Sequence, residues 1–245
     1  MTDHEPAATL ENADFDAMYR GQPFIAGMDM RFARVPWDIG EPQPVVADLE
    51  AAGGVTGTVL DVGCGAGENA LFLAGRGYQV VGVDGSAAGL ARARERAGER
   101  GLDIEFVQDD ATTLGKLTQR FDTVLDSALY HCLPEQKRAD YAVALHRVTR
   151  PGAVLHLFCF ATIAEDAPPL AISPQNLRAN LGSHWDITSI EHATYVTTAT
   201  PEEYAWLSSQ LEAAELATAM NATHVSTDAR GRAELPVWHL HAQRR

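Results

Sequence analysis

The sequence predicts an α/β fold with a mostly parallel sheet, helices on both faces and an antiparallel late edge. Three observations predict it. From Thr58 onward, short apolar runs rich in Val, Leu and Phe alternate with helical segments. The first run ends in a glycine-rich turn, "LDVGCGAGENA". The last two alternating runs follow one another without the usual crossover helix.

Each element has a local reason. "TVLDVG" is an apolar strand stopped by Gly63, and "ENALFLAGRG" is a short helix with a glycine exit. "QVVGVD" is the second strand. "SAAGLARARERAGERG" is a helix with Ser86 as N-cap and Gly101 as its stop; its mixture of Arg and Glu reads as a solvated face. "IEFVQDD" and "FDTVLDSAL" are the third and fourth strands. "PEQKRADYAVALHRVTRPG" is a helix opened by Pro134 and stopped by Pro151-Gly152, and "AVLHLFCFA" is the fifth strand. "SPQNLRANLG" is a helix with Ser173 as cap and Pro174 at its first position. "WDITSIEHATYV" and "VWHLHAQ" are the late strands. A short helix is expected around Phe15–Arg20. "VPWDIGEPQP" (Val35–Pro44) is too broken by Pro and Gly to be helix or central strand.

Bulk properties narrow the function. The chain has 245 residues, a hydrophobic content of 46% and a net charge of -14. One α/β domain with a full core fits that length. The negative charge disfavours nucleic acid as a partner. The N-terminus has no basic segment followed by an apolar one, and no apolar run is long enough to span a bilayer. The three cysteines form no C-x-x-C pair, which points to a reducing cytoplasm and to no metal.

The glycine turn and the acids around it select a ligand. Gly63, Gly65 and Gly67 lie between strand and helix, where backbone N–H groups approach a ligand closely. A dinucleotide fingerprint would need glycine at position 68, which is Glu68. Asp61, at the end of the first strand, suits an ammonium or sulfonium better than a pyrophosphate. Asp84 ends the second strand, where an acid accepts from ribose hydroxyls. Asp109 or Asp110 can accept from an adenine amino group, and the Ala111 N–H can donate to a ring nitrogen. Asp109 and Asp110 are also ordinary helix-capping residues. The set describes a nucleoside joined to an amino acid.

"VLDVGCGAGENALFLA", "VVGVDGS", "QDDAT" and "FDTVLDSALYHCL" together resemble the ordered motifs of class I S-adenosylmethionine-dependent methyltransferases. The resemblance spans Thr58 to Ala161. It implies a Rossmann-like seven-stranded sheet with an inserted antiparallel last strand, S-adenosylmethionine as methyl donor and S-adenosylhomocysteine as product. Carried over by position, Asp61, Gly63, Cys64, Gly65, Asp84, Gly85, Asp110 and Ala111 are cofactor contacts, and Asp126 lies beside the transferred methyl group. "PWDIGEPQP" is similar to the Trp-Asp-x-Gly segment of the thiopurine, thiol and halide methyltransferase branch, whose N-terminal segment covers the cofactor. This places Trp37 over the methyl donor. Residues 1–45 then form a lid, 58–161 the cofactor core and 162–245 the acceptor side, with an insertion at 201–236, all within one domain.

The region after the fourth strand chooses among acceptors. It lacks the metal-binding carboxylates of catechol-type enzymes and the Pro-Pro-aromatic run of adenine-N6 enzymes. Methyl transfer to an O, S or N atom of a small, largely apolar acceptor is expected, preferably a hydroxylated or thiolated heterocycle, with halide or sulfide as the near alternative. Its methylation would serve detoxification or secondary metabolism. His131 is the candidate base and Tyr130 a wall or proton partner, with Tyr19 and Arg31 closing the pocket. Each also has a plain packing explanation. A nicotinamide-dependent oxidoreductase and a non-catalytic cofactor-binding regulator are the readings from other classes.

Overall fold

The computed structural model describes residues 13–32, 34–162, 170–213 and 225–245. Residues 1–12, 33, 163–169 and 214–224 lie outside the described residues, and with them the start of the expected lid and parts of the acceptor side and its insertion.

The helices are α1 (Phe15–Tyr19), α2 (Pro44–Ala51), α3 (Glu68–Gly75), α4 (Ala87–Arg100), α5 (Arg138–Val148), α6 (Pro174–Leu181) and α7 (Pro201–Ala213). The strands are β1 (Thr58–Val62), β2 (Gln79–Asp84), β3 (Glu105–Gln108), β4 (Phe121–Ser127), β5 (Thr149–Phe160), β6 (Trp185–Val196), β7 (Ser226–Thr227) and β8 (Ala233–Arg244). The sheet runs β3-β2-β1-β4-β5-β8-β6, and the two-residue β7 pairs with β8 off that path. β1 through β5 pair in parallel, and β8 is antiparallel to both β5 and β6. The seven-strand order is the expected one; β7 is an addition. The chain leaves β1 toward β3, then returns to β4 on the other side. That reversal opens a crevice above the C-terminal ends of β1 and β4.

Alternation along the strands feeds two cores. Leu60, Val124 and Leu157 face one core with Tyr141 and Leu145 of α5, Leu177 of α6 and Trp185. Their neighbours Val59, Leu125 and Phe158 face the other, with Val46 of α2, Leu71 and Leu73 of α3 and Leu90 of α4. A third, smaller core belongs to the N-terminal segment: Met18, Tyr19, Phe24, Ile25, Met30 and Val35 gather on Ala66.

Local caps form where the sequence places them. The Ser86 hydroxyl accepts from the Gly89 N–H at 2.9 Å, Gly101 ends α4 at φ +63°, and Ser173 caps α6. Two expectations are corrected. Pro44 is not the end of a broken stretch but the first position of α2, where its missing N–H costs nothing. α5 stops at Val148 rather than at Pro151-Gly152, because Thr149 turns extended and its hydroxyl donates to the Leu145 carbonyl.

The arginines of α4 are also reassigned. Arg92 donates to the Tyr19 carbonyl, Arg94 to the Phe106 carbonyl at 2.7 Å, and Arg100 to Glu68 at 2.8 Å. Arg96 grips the buried Asp38 with two hydrogen bonds of 2.8 and 2.9 Å. Arg92, Arg96 and Arg100 are spaced by four, so they form one stripe along the helix. Instead of facing solvent, that stripe holds the N-terminal segment and α3.

"VPWDIGEPQP" is pinned at several points. The Gln43 side chain is buried; its Nε2 donates to the Val196 carbonyl at 2.9 Å and its Oε1 accepts from the Val196 N–H at 3.1 Å. The Thr198 N–H donates to the Pro36 carbonyl at 2.7 Å. Gln43→Ala leaves the Val196 donor and acceptor unpaired in a buried position. The expected outcome is a fall in Tm of roughly 2–10 °C, read by calorimetry; an unchanged Tm would show that this bridge carries no stability.

Candidate active site

A cavity of about 930 Å³ fills the crevice. Its floor is made by the ends of β1, β2 and β4, and the N-terminal segment roofs it. One side is polar, with Gly63, Asp84, Gly85, Asp110 and Ala111; the other is apolar, with Phe24, Met30, Phe32, Leu133 and Phe160.

The glycine turn folds back on β2. The N–H groups of Gly63 and Cys64 donate to the Val83 carbonyl at 2.7 and 3.0 Å. Gly63 takes φ +73°, and a Cβ there would sit 2.7 Å from that of Leu129. Gly65 takes φ +53°, and a Cβ there would sit 2.1 Å from the Tyr19 hydroxyl oxygen. Backbone conformation and close approach both require glycine at these two positions.

Asp84 stands at the centre. Its Oδ2 accepts from the Gly65 N–H at 2.8 Å and its Oδ1 from the Ser86 N–H at 2.7 Å. A carboxylate has capacity for further donors, so ligand hydroxyls remain compatible with both bonds. Burial pushes its pKa up, and the two N–H groups pull the other way. Asp110 Oδ1 accepts from the Thr112 N–H and hydroxyl at 2.8 Å each, which leaves Oδ2 without a protein partner among the described hydrogen bonds. Asp109 accepts from the Asp110 and Lys116 N–H groups.

Asp61 is the anomaly. It is 1% exposed, and neither carboxylate oxygen makes a well-formed hydrogen bond; the Ala70 N–H is the backbone donor that faces it. Burial pushes its pKa up to about 7, aided by the negative charges of Asp84 and Asp126 and only partly opposed by the Ala70 N–H. A buried carboxylate without a well-formed bond beside a ligand turn is costly. It fits a cationic ligand group in the manner that an ammonium or sulfonium requires. Asp61, near the end of β1, and Cys64 and Gly65, in the turn, do not line the cavity itself.

The roof is held by its own contacts. The Trp37 Nε1–H donates to the Tyr19 hydroxyl at 2.9 Å, and both rings line the cavity. Asp16 Oδ1 accepts from the Ser86 hydroxyl and the Ala88 N–H, each at 2.8 Å, so α1 docks on the start of α4. Arg31 does not join this roof: it is exposed and pairs with Asp29 at 2.7 Å.

At the end of β4 the residues divide. Asp126 is fully buried and points away from the cavity lining; it accepts from the Tyr141 hydroxyl at 2.6 Å and from the Leu129 and Tyr130 N–H groups at 2.9 and 3.3 Å. It shapes the turn Tyr130–Cys132. Tyr130 is buried in the core, its hydroxyl donating to Asn176 Oδ1 at 3.0 Å with Arg138 against its ring. It lines no part of the cavity. His131 does line it, stacked on Phe160 with ring centroids 4.1 Å apart, and its Nδ1 accepts from the Phe160 N–H at 3.4 Å. Ala128 takes φ +77°, a strained value for a residue with a Cβ, and so turns this segment over the crevice.

Sequence reasoning passed over Ser127, Phe160 and Tyr195. All three line the cavity, and the Ser127 and Tyr195 hydroxyls lie 3.1 Å apart. Ser127 was readable as the residue that ends β4. Tyr195 reaches the site only because β8 holds β6 beside β5 in space.

Among the described residues no group of three or more His, Cys, Asp or Glu is placed to hold a metal ion, and no helix is long and apolar enough to cross a membrane.

Known proteins match this arrangement. Residues 59–152 match a family model described as a methyltransferase domain. The chain is 35% identical over 183 residues to the 2-heptyl-1-hydroxyquinolin-4(1H)-one methyltransferase of Mycobacteroides abscessus, covering 73% of this chain and 79% of that protein. It is 28% identical over 141 residues to thiocyanate methyltransferase 1 of Arabidopsis thaliana, covering 56% of this chain and 62% of that one. A solved structure concerned with the conversion of a disulfide bond into a thioacetal group during echinomycin biosynthesis superposes with a TM-score of 0.72 at 33% identity, over 94% of this chain and 90% of the other. The magnesium protoporphyrin IX methyltransferase of Synechocystis with bound S-adenosylmethionine shares the fold, with a TM-score of 0.54 at 21% identity over 82% and 76% of the two chains. With its motif order, sheet order and these relatives in agreement, the chain belongs to the class I S-adenosylmethionine-dependent methyltransferases.

Proposed function

We propose that the enzyme methylates the oxygen, or in a second reading the sulfur, of a small, largely apolar hydroxylated or thiolated heterocycle. The observation that carries this is the division of one cavity into a polar half at the sheet ends and an apolar half under the roof. The 35% identical relative, whose name gives a hydroxyquinolone as its substrate, supports an oxygen acceptor. The thiocyanate relative supports the sulfur reading. Inactivation of a toxic heterocycle is the biological sense we attach to it.

In this reading Asp61 balances the positive end of the methyl donor through the turn of Gly63, Cys64 and Gly65. Asp84 and Gly85 take the ribose, and Asp110 and the Ala111 N–H take the adenine. Trp37 and Tyr19 close the donor from above. The sulfonium supplies a methyl group with a good leaving group already attached. What the chain adds is alignment and exclusion of water, which can account for much of the acceleration of an in-line transfer. Residues 13–45 act as the lid, and the acceptor lies between it, Phe160 and Tyr195.

Calorimetry is expected to show binding of S-adenosylmethionine and S-adenosylhomocysteine and none of NAD. Asp84→Ala should weaken the former by about tenfold or more; binding of NAD alone would overturn the assignment. Asp61 yields a two-sided test. Its folded pKa lies above that of the unfolded chain, so its ionisation destabilises the ligand-free fold progressively from about pH 4 to pH 7 and fully above. Asp61→Asn should therefore raise the Tm of the ligand-free protein at pH 8, an effect that fades toward pH 4, while weakening donor binding. A lower Tm at pH 8 would refute the charge penalty. For the acceptor, mass spectrometry after incubation with hydroxyquinolones, phenols, thiols and iodide should find methylated hydroxyquinolones first. Turnover of iodide alone would replace this reading with the halide one.

A further inference from the structure

Among the described residues His131 is the one imidazole on the cavity wall, and the obvious role for it is general base. Its hydrogen bond argues otherwise. The Phe160 backbone N–H can only donate, so the His131 Nδ1 that receives it carries no proton. The neutral ring then holds its proton on Nε2. The Nδ1 lone pair is spent on Phe160, and Nε2 offers a proton rather than a lone pair. The ring is 4% exposed and stacked flat on Phe160, which fixes this orientation and keeps water from exchanging it.

We propose that His131 serves as a hydrogen-bond donor to an acceptor atom that enters the cavity already ionised, so that the enzyme selects heterocycles with acidic N-hydroxyl, hydroxyl or thiol groups and uses no general base. This rests on the methyl-transfer reading above and narrows its substrate class.

The neighbours of His131 agree. Arg138 on α5 places a positive charge near the ring, and burial with that charge brings its pKa down to about 3. Cys132 on the same turn is held protonated, its pKa pushed up to about 12 by burial, and burial also raises that of Cys159 on the adjoining β5. Tyr195 and Ser127 are neutral hydroxyls that bond each other. Asp126 below is occupied by three donors. Among the described residues the five carboxylates that line the cavity, Asp14, Asp16, Asp84, Asp109 and Asp110, each already accept a backbone N–H. A carboxylate oxygen left open among these, Asp110 Oδ2, follows β3, with β2 and β1 between it and the β4 end that carries His131, so it does not stand beside His131 to take a proton from an ordinary phenol.

The step balances without one. A lone pair of the acceptor anion forms the bond to the methyl carbon. The carbon–sulfur bond breaks, and its electron pair stays on sulfur as the neutral thioether. One cation and one anion become two neutral molecules, and no proton moves. Donation from Nε2 lowers the pKa of the bound acceptor and aims it; the slight loss of nucleophilicity is offset by alignment.

The tautomer can be read directly on the ligand-free protein. Two-bond ¹H–¹⁵N spectra of imidazole-labelled enzyme should show His131 as the Nε2–H form, neutral down to about pH 4. An Nδ1–H form, or titration near the ordinary pKa, would overturn the proposal. With S-adenosylhomocysteine bound, so that no turnover occurs, the ultraviolet spectrum of an N-hydroxyquinolone or thiophenol should be that of the anion at a pH below its solution pKa. Acceptors that bind in neutral form defeat this proposal alone; if no acceptor binds at all, the acceptor reading falls with it. In turnover, the pH profile of kcat/KM should inflect at a pH that moves with the acceptor's own pKa, whereas an inflection fixed across acceptors would restore a protein base. His131→Gln, which keeps an N–H near the Nε2 position, should retain activity within about tenfold. His131→Phe should lose about 10–100-fold, mostly through KM. Equal losses in the two variants count against the donor role.

Discussion

The Asp84 carboxylate is the tie on which the rest of the site hangs. It holds the glycine turn through Gly65 and the start of α4 through Ser86. Ser86 in turn donates to Asp16, which anchors α1. One side chain at the end of β2 therefore fixes the turn, the helix and, one bond further on, the roof. These elements come from three separate parts of the chain. Only a strand end at the crevice lies close enough to all of them, and that position exists because the chain reverses direction between β3 and β4.

Charge placement follows the same logic at a cost to the fold. Asp61, Asp84 and Asp126 stand at or near the ends of three adjacent strands, Asp61 and Asp126 buried and Asp84 partly so, and the charges of Asp84 and Asp126 add to the burden on Asp61. Asp126 is offset by three donors and Asp84 by two. Asp61 has no well-formed bond, only the Ala70 N–H nearby, and such a group persists in a folded protein where binding rewards it. The arginine stripe on α4 does the opposite work. Arg96 and Arg100 meet Asp38 and Glu68, half-buried pairs that hold the roof segment and α3 to the helix rather than contribute large stability by themselves.

Much of this was legible from sequence because it is local. Ser86, Ser173 and Gly101 act within one turn of where they stand, and the βα alternation repeats often enough to give the sheet. Losses came where the decisive partner is distant. Periodicity shows that Arg92, Arg96 and Arg100 share a face but not that the N-terminal segment covers it. The prolines of "VPWDIGEPQP" signal irregularity, and Pro44 opens α2 because it is the last of them, suits a first helical position, and is followed by Val46, which packs into the core. At the end of β4, sequence marks Asp126, Tyr130 and His131 equally. The strained turn at Ala128 and the bonds to Tyr141 and Asn176 send the first two inward and leave His131 on the cavity. Tyr195 had no local signal at all.

The antiparallel position of β8 also sets an order of assembly. β1 through β5 are all built from residues 58–160 and carry the glycine turn, Asp84 and the loop of Asp110. β6 has no place in the sheet until residues 233–244 slot between it and β5. On the ribosome, the part of the sheet that carries the glycine turn can thus form while the wall with Tyr195 is still missing, and the long edge of β5 stays open until β8 arrives. Tyr195 and Leu235 take their places on the cavity wall only then, and a chain cut short before β8 would keep the motifs of a methyltransferase with an unfinished cavity to use them in.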